Sequence, residues 1–234
     1  SELPNFPPRE PAMDFEKARF NMIEQQIRPW NVLNQKVLDL LEVIKRENFV
    51  SPGLEKLAFT DCDLPIRVNN TDTGEFMFSP KMEARILQEL ELSPHEKVLE
   101  IGTGTGYMAA LMAQQCAHVT TVELNPAIAE LARNNLKKNS ITRVKVLDGC
   151  GFALAPTLGQ FDAIVLSGAT PTMPKGLLEA VNPLGRLMAV IGQAPAMQLV
   201  LARKSRDGQL ITTPLFETMT KVLVNAPKAN EFVF

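Results

Sequence analysis

Residues 100–107 read EIGTGTGY, with glycines at 102, 104 and 106 directly after the apolar run Val98-Leu99. Glycine has no Cβ and takes positive φ freely, so a turn of this composition lets a ligand lie against bare backbone. The dinucleotide spacing G-x-G-x-x-G is not met, because the sixth position from Gly102 is Tyr107. A pyrophosphate also prefers a helix start free of negative charge, whereas Glu100 stands at this strand end. An acid there suits a cationic ligand. S-adenosylmethionine carries an ammonium and a sulfonium but no phosphate, and it is the cofactor these residues predict. Glu100, Gly102, Gly104 and Gly106 are placed to hold its methionine part, with Thr103 and Tyr107 of the same turn alongside.

Glu123 ends the next apolar run, where a carboxylate accepts from both ribose hydroxyls, and Leu124 follows it into the predicted site. Asp148 and Gly149 end the third run. Asp148 is placed to accept from the adenine amino group, and Gly149 leaves room for the ring. Taken singly, Glu123 or Asp148 also reads as a helix cap or a solvated loop acid, a reading that weakens when the two are taken with the glycine turn. The only histidines, His95 and His118, fall before the first strand and at the far end of the second, and read as structural surface residues. Cys62, Cys116 and Cys150 are odd in number, widely spaced and never in a CxxC pair, so neither a zinc site nor a disulfide frame is predicted. A reducing cytoplasm fits them.

Ligands of an open parallel sheet lie beyond the carboxyl ends of its strands. The chain from residue 97 has the alternation such a sheet needs. KVLEIG, HVTTVEL, RVKVLDG, FDAIVLSGA and GRLMAVIG read as strands, with Gly185 marking the turn before the last of these. Residues 107–116, the segment NPAIAELARNNLKKN and KGLLEAV read as the helices between them. Two final strands, 197–205 and 209–224, flank the turn Arg206-Asp207-Gly208. The fold class is therefore α/β: a Rossmann-like, mostly parallel sheet with added N-terminal helices. Of these, one starts at Asp14 and stops at Pro29, one spans Asn34 to Arg46, and one opens at Pro80. Residues 48–79, rich in Asp, Asn, Thr and Pro, read as irregular. The proline-bearing residues 1–12 read as a flexible arm, and 13–234 as one domain with an acceptor side (13–92) and a cofactor side (93–234).

Hydrophobic residues make up 45% of the 234 and the net charge is −2. No run of Lys and Arg offers a footprint for nucleic acid. No apolar stretch approaches a membrane span, and the N-terminus lacks a signal-peptide pattern. Oligomeric state is not encoded in any pattern here.

Across roughly residues 19–205 the chain resembles the protein-L-isoaspartate O-methyltransferases. The likeness lies in MIEQQIR, ENFVSP, DLPI, SPKMEARIL, VLEIGTGTGY, VELNP, the pair Asp148-Gly149, FDAIVLSGA, GRLMAVIG and Gln198-Leu199. The resemblance implies a methyltransferase-type sheet of seven strands, the last antiparallel. It implies a protein or peptide substrate, methylated from S-adenosylmethionine on the α-carboxylate of an isoaspartyl residue. A carboxylate is ionised at neutral pH and needs no general base. The resemblance also adds Gln198 to the cofactor set and Ser79 as the acceptor-side catalytic residue, although Ser79 also reads as the N-cap of the helix opening at Pro80.

Departures from the family cluster on the acceptor side. Its acceptor loop carries Ile-Ser-x-Pro-x-Met, and alignment on Pro80 and Met82 places Phe78 at the serine and Phe76 at a preceding threonine. Its Pro-Val-Gly is Val190-Ile191-Gly192 here, and the Phe-Val-Pro of its last strand is Thr220-Lys221-Val222. Cofactor residues retained beside altered acceptor residues leave two alternatives: the same chemistry on another acceptor, or S-adenosylmethionine binding without catalysis.

Overall fold

The computed structural model describes residues 11–228, so the predicted arm lies, up to residue 10, outside the described residues. Helix α1 (Phe15–Met22) is capped by Asp14, whose carboxylate accepts from the Lys17 amide. It continues through a wider π turn over Ile23–Ile27 and a tighter 3-10 turn over Arg28–Trp30, ending at Asn31 with φ of 62°. Pro29 thus sits in the last turn rather than at the stop. Helix α2 (Gln35–Val43) starts at Asn34, whose side chain accepts from the Lys36 and Val37 amides, and buries Val37, Leu38 and Leu41.

Residues 48–79 are not irregular throughout. Leu64–Val68 (β1) and Thr71–Met77 (β2) pair as an antiparallel hairpin. Asn69 and Asn70 form its two-residue turn at φ of 51° and 61°, the left-handed pair that matches strand twist and that Asn tolerates. The Asn-Asn pair between two alternating segments was the available signal.

Helix α3 (Pro80–Leu90) buries Met82, Ile86, Leu87 and Leu90. The large sheet then alternates with helices: β3 (Lys97–Ile101), α4 (Tyr107–Ala113), β4 (His118–Glu123), α5 (Pro126–Lys138), β5 (Val144–Asp148) and the short α6 (Gly151–Leu154). It continues with β6 (Phe161–Thr170), α7 (Lys175–Leu178), β7 (Val181–Gln193), β8 (Ala196–Lys204) and β9 (Leu210–Glu217). Strand order is β5-β4-β3-β6-β7-β8-β9. Order reverses beside β3, so the EIGTGTGY turn stands at the switch point.

The strands of the centre alternate between two cores. Ala163, Val165 and Ala169 of β6 face one, with the N-terminal helices and α4. Ile164 and Leu166 face the other, with Leu177 and Ala180. This two-sided burial follows from the unbroken apolar runs.

Three expectations are corrected. Gly185 lies inside β7, not before it: β7 starts at Val181, and the register slips between Phe161↔Val181 and Ala163↔Arg186. A Cβ at Gly185 would come within 2.7 Å of the Asn182 carbonyl, so the bulge requires glycine. The reversed strand is β8, antiparallel to both neighbours, and β9 runs with the parallel set. Finally, β9 ends at Glu217, and residues 221–223 cross back to β6, where Ala169 N–H donates to Lys221 O and Leu223 N–H to Ala169 O.

Arg186 of β7 fastens the sheet to the N-terminal half. Its buried guanidinium donates to both Glu96 oxygens at 2.7 and 2.8 Å and to the carbonyls of Leu90 and Glu91 at 2.6 and 3.1 Å. Replacing it strands Glu96 and two carbonyls without donors. Arg186→Ala is expected to destabilise by about 3–5 kcal/mol, read as a lower urea midpoint with an unchanged slope.

Candidate S-adenosylmethionine site

A cavity of about 470 Å³ opens at the carboxyl ends of β3, β4 and β6. The glycine turn forms its floor: Gly102, Gly104 and Gly106 take φ of 91°, 54° and 90°. A Cβ on Gly102 would meet Leu223 at 3.2 Å, so chain already lies close on the far side.

Glu100 is wholly buried at the cavity wall. Its oxygens accept from the hydroxyls of Thr121 and Ser167, each at 2.7 Å. Thr121 is in turn 2.6 Å from Thr103 Oγ1 of the glycine turn. Burial pushes the Glu100 carboxyl up to about 7, against the opposing pull of those two hydroxyls, and nearby Glu123 adds to the rise. Glu123 closes β4 with both oxygens engaged: Oε1 accepts from Gly104 N–H at 3.1 Å and Oε2 from Asn125 N–H at 3.0 Å. Burial raises it as well.

Charged residues in the described lining are Glu75, Glu83, Glu100 and Glu123, with no Lys or Arg among them. Glu83 and Glu75 are paired with Arg46 and Lys221, but Glu100 and Glu123 have no cation beside them among the described residues. A phosphate would face these two acids without a counter-charge, whereas a sulfonium and an ammonium are attracted by them. The volume falls within the range of small-molecule sites, and bare backbone lines the floor. The residues present fit S-adenosylmethionine.

Of the sequence-predicted residues, the lining includes Glu100, Gly102, Thr103, Gly104, Tyr107, Glu123, Leu124 and Gly149. Gly106 caps α4 directly behind it. Three are placed elsewhere. Asp148 turns outward, where its carboxylate accepts from Arg133 at 2.7 Å. Gln198 is exposed on β8 opposite Ile191 and Glu217, because strand alternation gives the inward positions to Met197 and Leu199. Ser79 occupies the N-cap of α3 but makes no capping bond with its hydroxyl, and its amide donates to Asp63 Oδ1 at 3.0 Å. The adjacent Phe78 takes the cavity-facing position instead.

Residues not anticipated include Ser167, Glu75, Glu83, Cys150 to Phe152, Leu223 and Val224. Ser167 had a signal: it is the first polar residue after the apolar run Ala163 to Leu166, two residues beyond Val165, the partner of Glu100. Leu223 and Val224 had none, since their position depends on the return to β6.

Behind the wall, Arg46 is buried and donates to Glu83, to the Phe78 carbonyl at 2.9 Å and to the Ala58 carbonyl at 2.8 Å. Its guanidinium lies 5.3 Å from the centre of the Tyr107 ring. Burial lowers Arg46 to about 10 and raises Tyr107 to about 12, so Arg46 stays charged and Tyr107 neutral at pH 7.

The family described as Protein-L-isoaspartate(D-aspartate) O-methyltransferase (PCMT) matches residues 17–226. The chain belongs to this family. A protein-L-isoaspartate O-methyltransferase of Methanoculleus marisnigri is 38% identical over 199 residues, covering 85% of this chain and 88% of its own. One from Syntrophobacter fumaroxidans is 35% identical, covering 84% and 89%. Among solved structures, a protein assigned to the same activity from Plasmodium falciparum, in complex with S-adenosyl-L-homocysteine, superposes with a TM-score of 0.74. It covers 90% of this chain and 98% of its own at 18% identity, which bears on the fold. The family's enzymes use S-adenosylmethionine.

Two outcomes follow from the carboxylates. Glu100 has an unfolded value near 4.5 and a folded value of about 7, so between these pH values the folded form holds the extra proton. Its contribution to stability is present below pH 4.5 and is lost as pH rises to 7. Relative to Glu100→Gln, the ligand-free protein is expected to lose about 1–3 kcal/mol between pH 5 and 8 in urea titrations. Glu123→Ala frees the Gly104 amide, and calorimetry is expected to show S-adenosylhomocysteine affinity reduced by about tenfold or more.

Proposed function

We infer that this protein transfers the methyl group of S-adenosylmethionine to the α-carboxylate of isoaspartyl residues in proteins or peptides. Family membership over residues 17–226 carries the activity. The acid-lined cavity without a cation is the observation that carries the cofactor. When bound, S-adenosylmethionine supplies a methyl group already activated by its sulfonium.

Glu100 and the turn Gly102 to Gly106 receive the methionine part, Glu123 and Leu124 the ribose, and Gly149 with Phe152 the adenine. Support lies in the placement of these residues along one wall of the cavity. Tyr107 packs beneath the turn, and its ring is backed by Arg46 and by Phe49 at 5.5 Å. Buried Met77 and Phe78, with Phe76 at the solvent edge, form an apolar wall of the cavity, so the chain aligns acceptor and donor rather than moving protons. No histidine lines the cavity among the described residues, in keeping with an acceptor that is already ionised.

Residues 13–92 supply most of the acceptor side and 93–234 most of the cofactor side of one working unit, with both halves lining the cavity. A reducing, cytoplasmic setting belongs to this reading and is supported by the free cysteines Cys62, Cys116 and Cys150. Among the described residues no helix is long and apolar enough to cross a membrane.

Labelled methyl from S-adenosylmethionine is expected to appear, as a base-labile ester, in a peptide bearing one isoaspartyl residue but not in its aspartyl counterpart. Equal label in both peptides, or none at saturating cofactor, would remove the assignment.

A further inference from the structure

Beside the large cavity lies a second hollow of about 40 Å³, space for one carboxylate or a few waters. The two share Glu75, Phe76, Phe78, Ser167 and Leu223 as walls, so a group in the smaller hollow abuts the cofactor site. The phenylalanines offer no polar atom. Ser167 has committed its hydroxyl proton to Glu100 at 2.7 Å. Asp63 already accepts the Ser79 amide. One positive charge lines the hollow among the described residues, and it belongs to Lys221.

The backbone of Lys221 is fixed by its bond from Ala169. Its ammonium reaches across to β2 and donates to Glu75 Oε1 at 2.6 Å and to the Gly74 carbonyl at 2.9 Å. Both side chains of this ion pair are partly exposed, at 46% and 35%. An ion pair so placed contributes little to stability, and an ammonium has three donors on a flexible stem. Glu75 is partly exposed, so its carboxylate can turn to water when it leaves this nitrogen, and an incoming carboxylate then meets Lys221 with Asp63 as the remaining acid of the hollow.

We propose that Lys221 binds the carboxylate of the acceptor, giving up Glu75 and drawing the substrate into the hollow beside the cofactor. The hydroxyl of neighbouring Thr220, on the same wall, adds a second donor. Glu75 acts as the competing anion that holds the lysine when no acceptor is present. The proposal rests on the acceptor being a carboxylate.

The test compares wild type with Lys221→Met, Lys221→Arg and Glu75→Gln. An isoaspartyl peptide is titrated in the methyl-transfer assay, and its binding to protein saturated with S-adenosylhomocysteine is followed by calorimetry. Lys221→Met is expected to raise KM by about tenfold or more, the scale of losing a charged hydrogen bond. Its kcat and S-adenosylhomocysteine affinity should change less than about threefold, because Lys221 lies outside the cofactor cavity. Lys221→Arg restores most of the loss, and Glu75→Gln lowers KM. Peptide KM and affinity unchanged in Lys221→Met, with wild type active, overturns the role of Lys221 and leaves the function standing. Inactive wild type whose peptide binding still depends on Lys221 overturns the function and leaves the carboxylate site standing. No peptide binding to any of the proteins overturns both.

Discussion

A carboxylate with no cation beside it sits at the centre of this molecule, and the site is arranged around that difficulty. Glu100 is fully enclosed. Hydroxyls from two different strands, Thr121 of β4 and Ser167 of β6, meet its oxygens. Burying a charge without a partner is expensive, and the usual response is for the group to hold its proton. The raised value of Glu100 is that response. The arrangement ties three neighbouring strands and, through Thr121 and Thr103, the glycine turn into one polar knot. A cationic ligand relieves the knot, so binding and ionisation of Glu100 reinforce one another.

The N-terminal side of the cavity is organised by the opposite charge. Arg46 reaches from the segment after α2 to the carbonyl of Phe78 and to Glu83 of α3, while its guanidinium carbon lies over the ring of Tyr107 of α4. Arg19 pairs with Glu47, the residue beside Arg46. Buried pairs of this kind contribute little net stability, yet removing one partner is costly. They specify geometry, here that of the segment Phe76 to Phe78, where β2 passes into α3, against the helix α4 that follows the glycine turn. The backbone at Phe78 is thus anchored from within the core.

Most of this was legible where local chemistry decides structure. Gly102, Gly104 and Gly106 announced a turn that only glycine makes comfortably, and the apolar runs from residue 97 onward announced buried strands. Helix starts at Asp14, Asn34 and Asn125 were readable because their side chains cap their own amides. Long-range geometry was not readable. Asp148 was a strand-end acid like Glu123, but Arg133 on the preceding helix, α5, draws it outward. Ser79 and Phe78 are neighbours, and which of them faces the cavity is settled by how β2 enters α3 rather than by either residue alone. The hairpin was obscured by its polar composition, since the core it touches lies on one side only.

The return of the chain from β9 to β6 has a consequence for biosynthesis. Leu223 and Val224 form part of the cavity wall, yet more than a hundred residues separate them from the glycine turn they face. A ribosome has made the whole seven-stranded sheet before it adds that wall. A nascent chain halted after Glu217 carries the floor, the knot and the hairpin, but not Lys221 or the residues above Gly102. The cavity is thereby walled only after the last strand of the sheet has been made, and a chain lacking Leu223 and Val224 leaves the site open above Gly102.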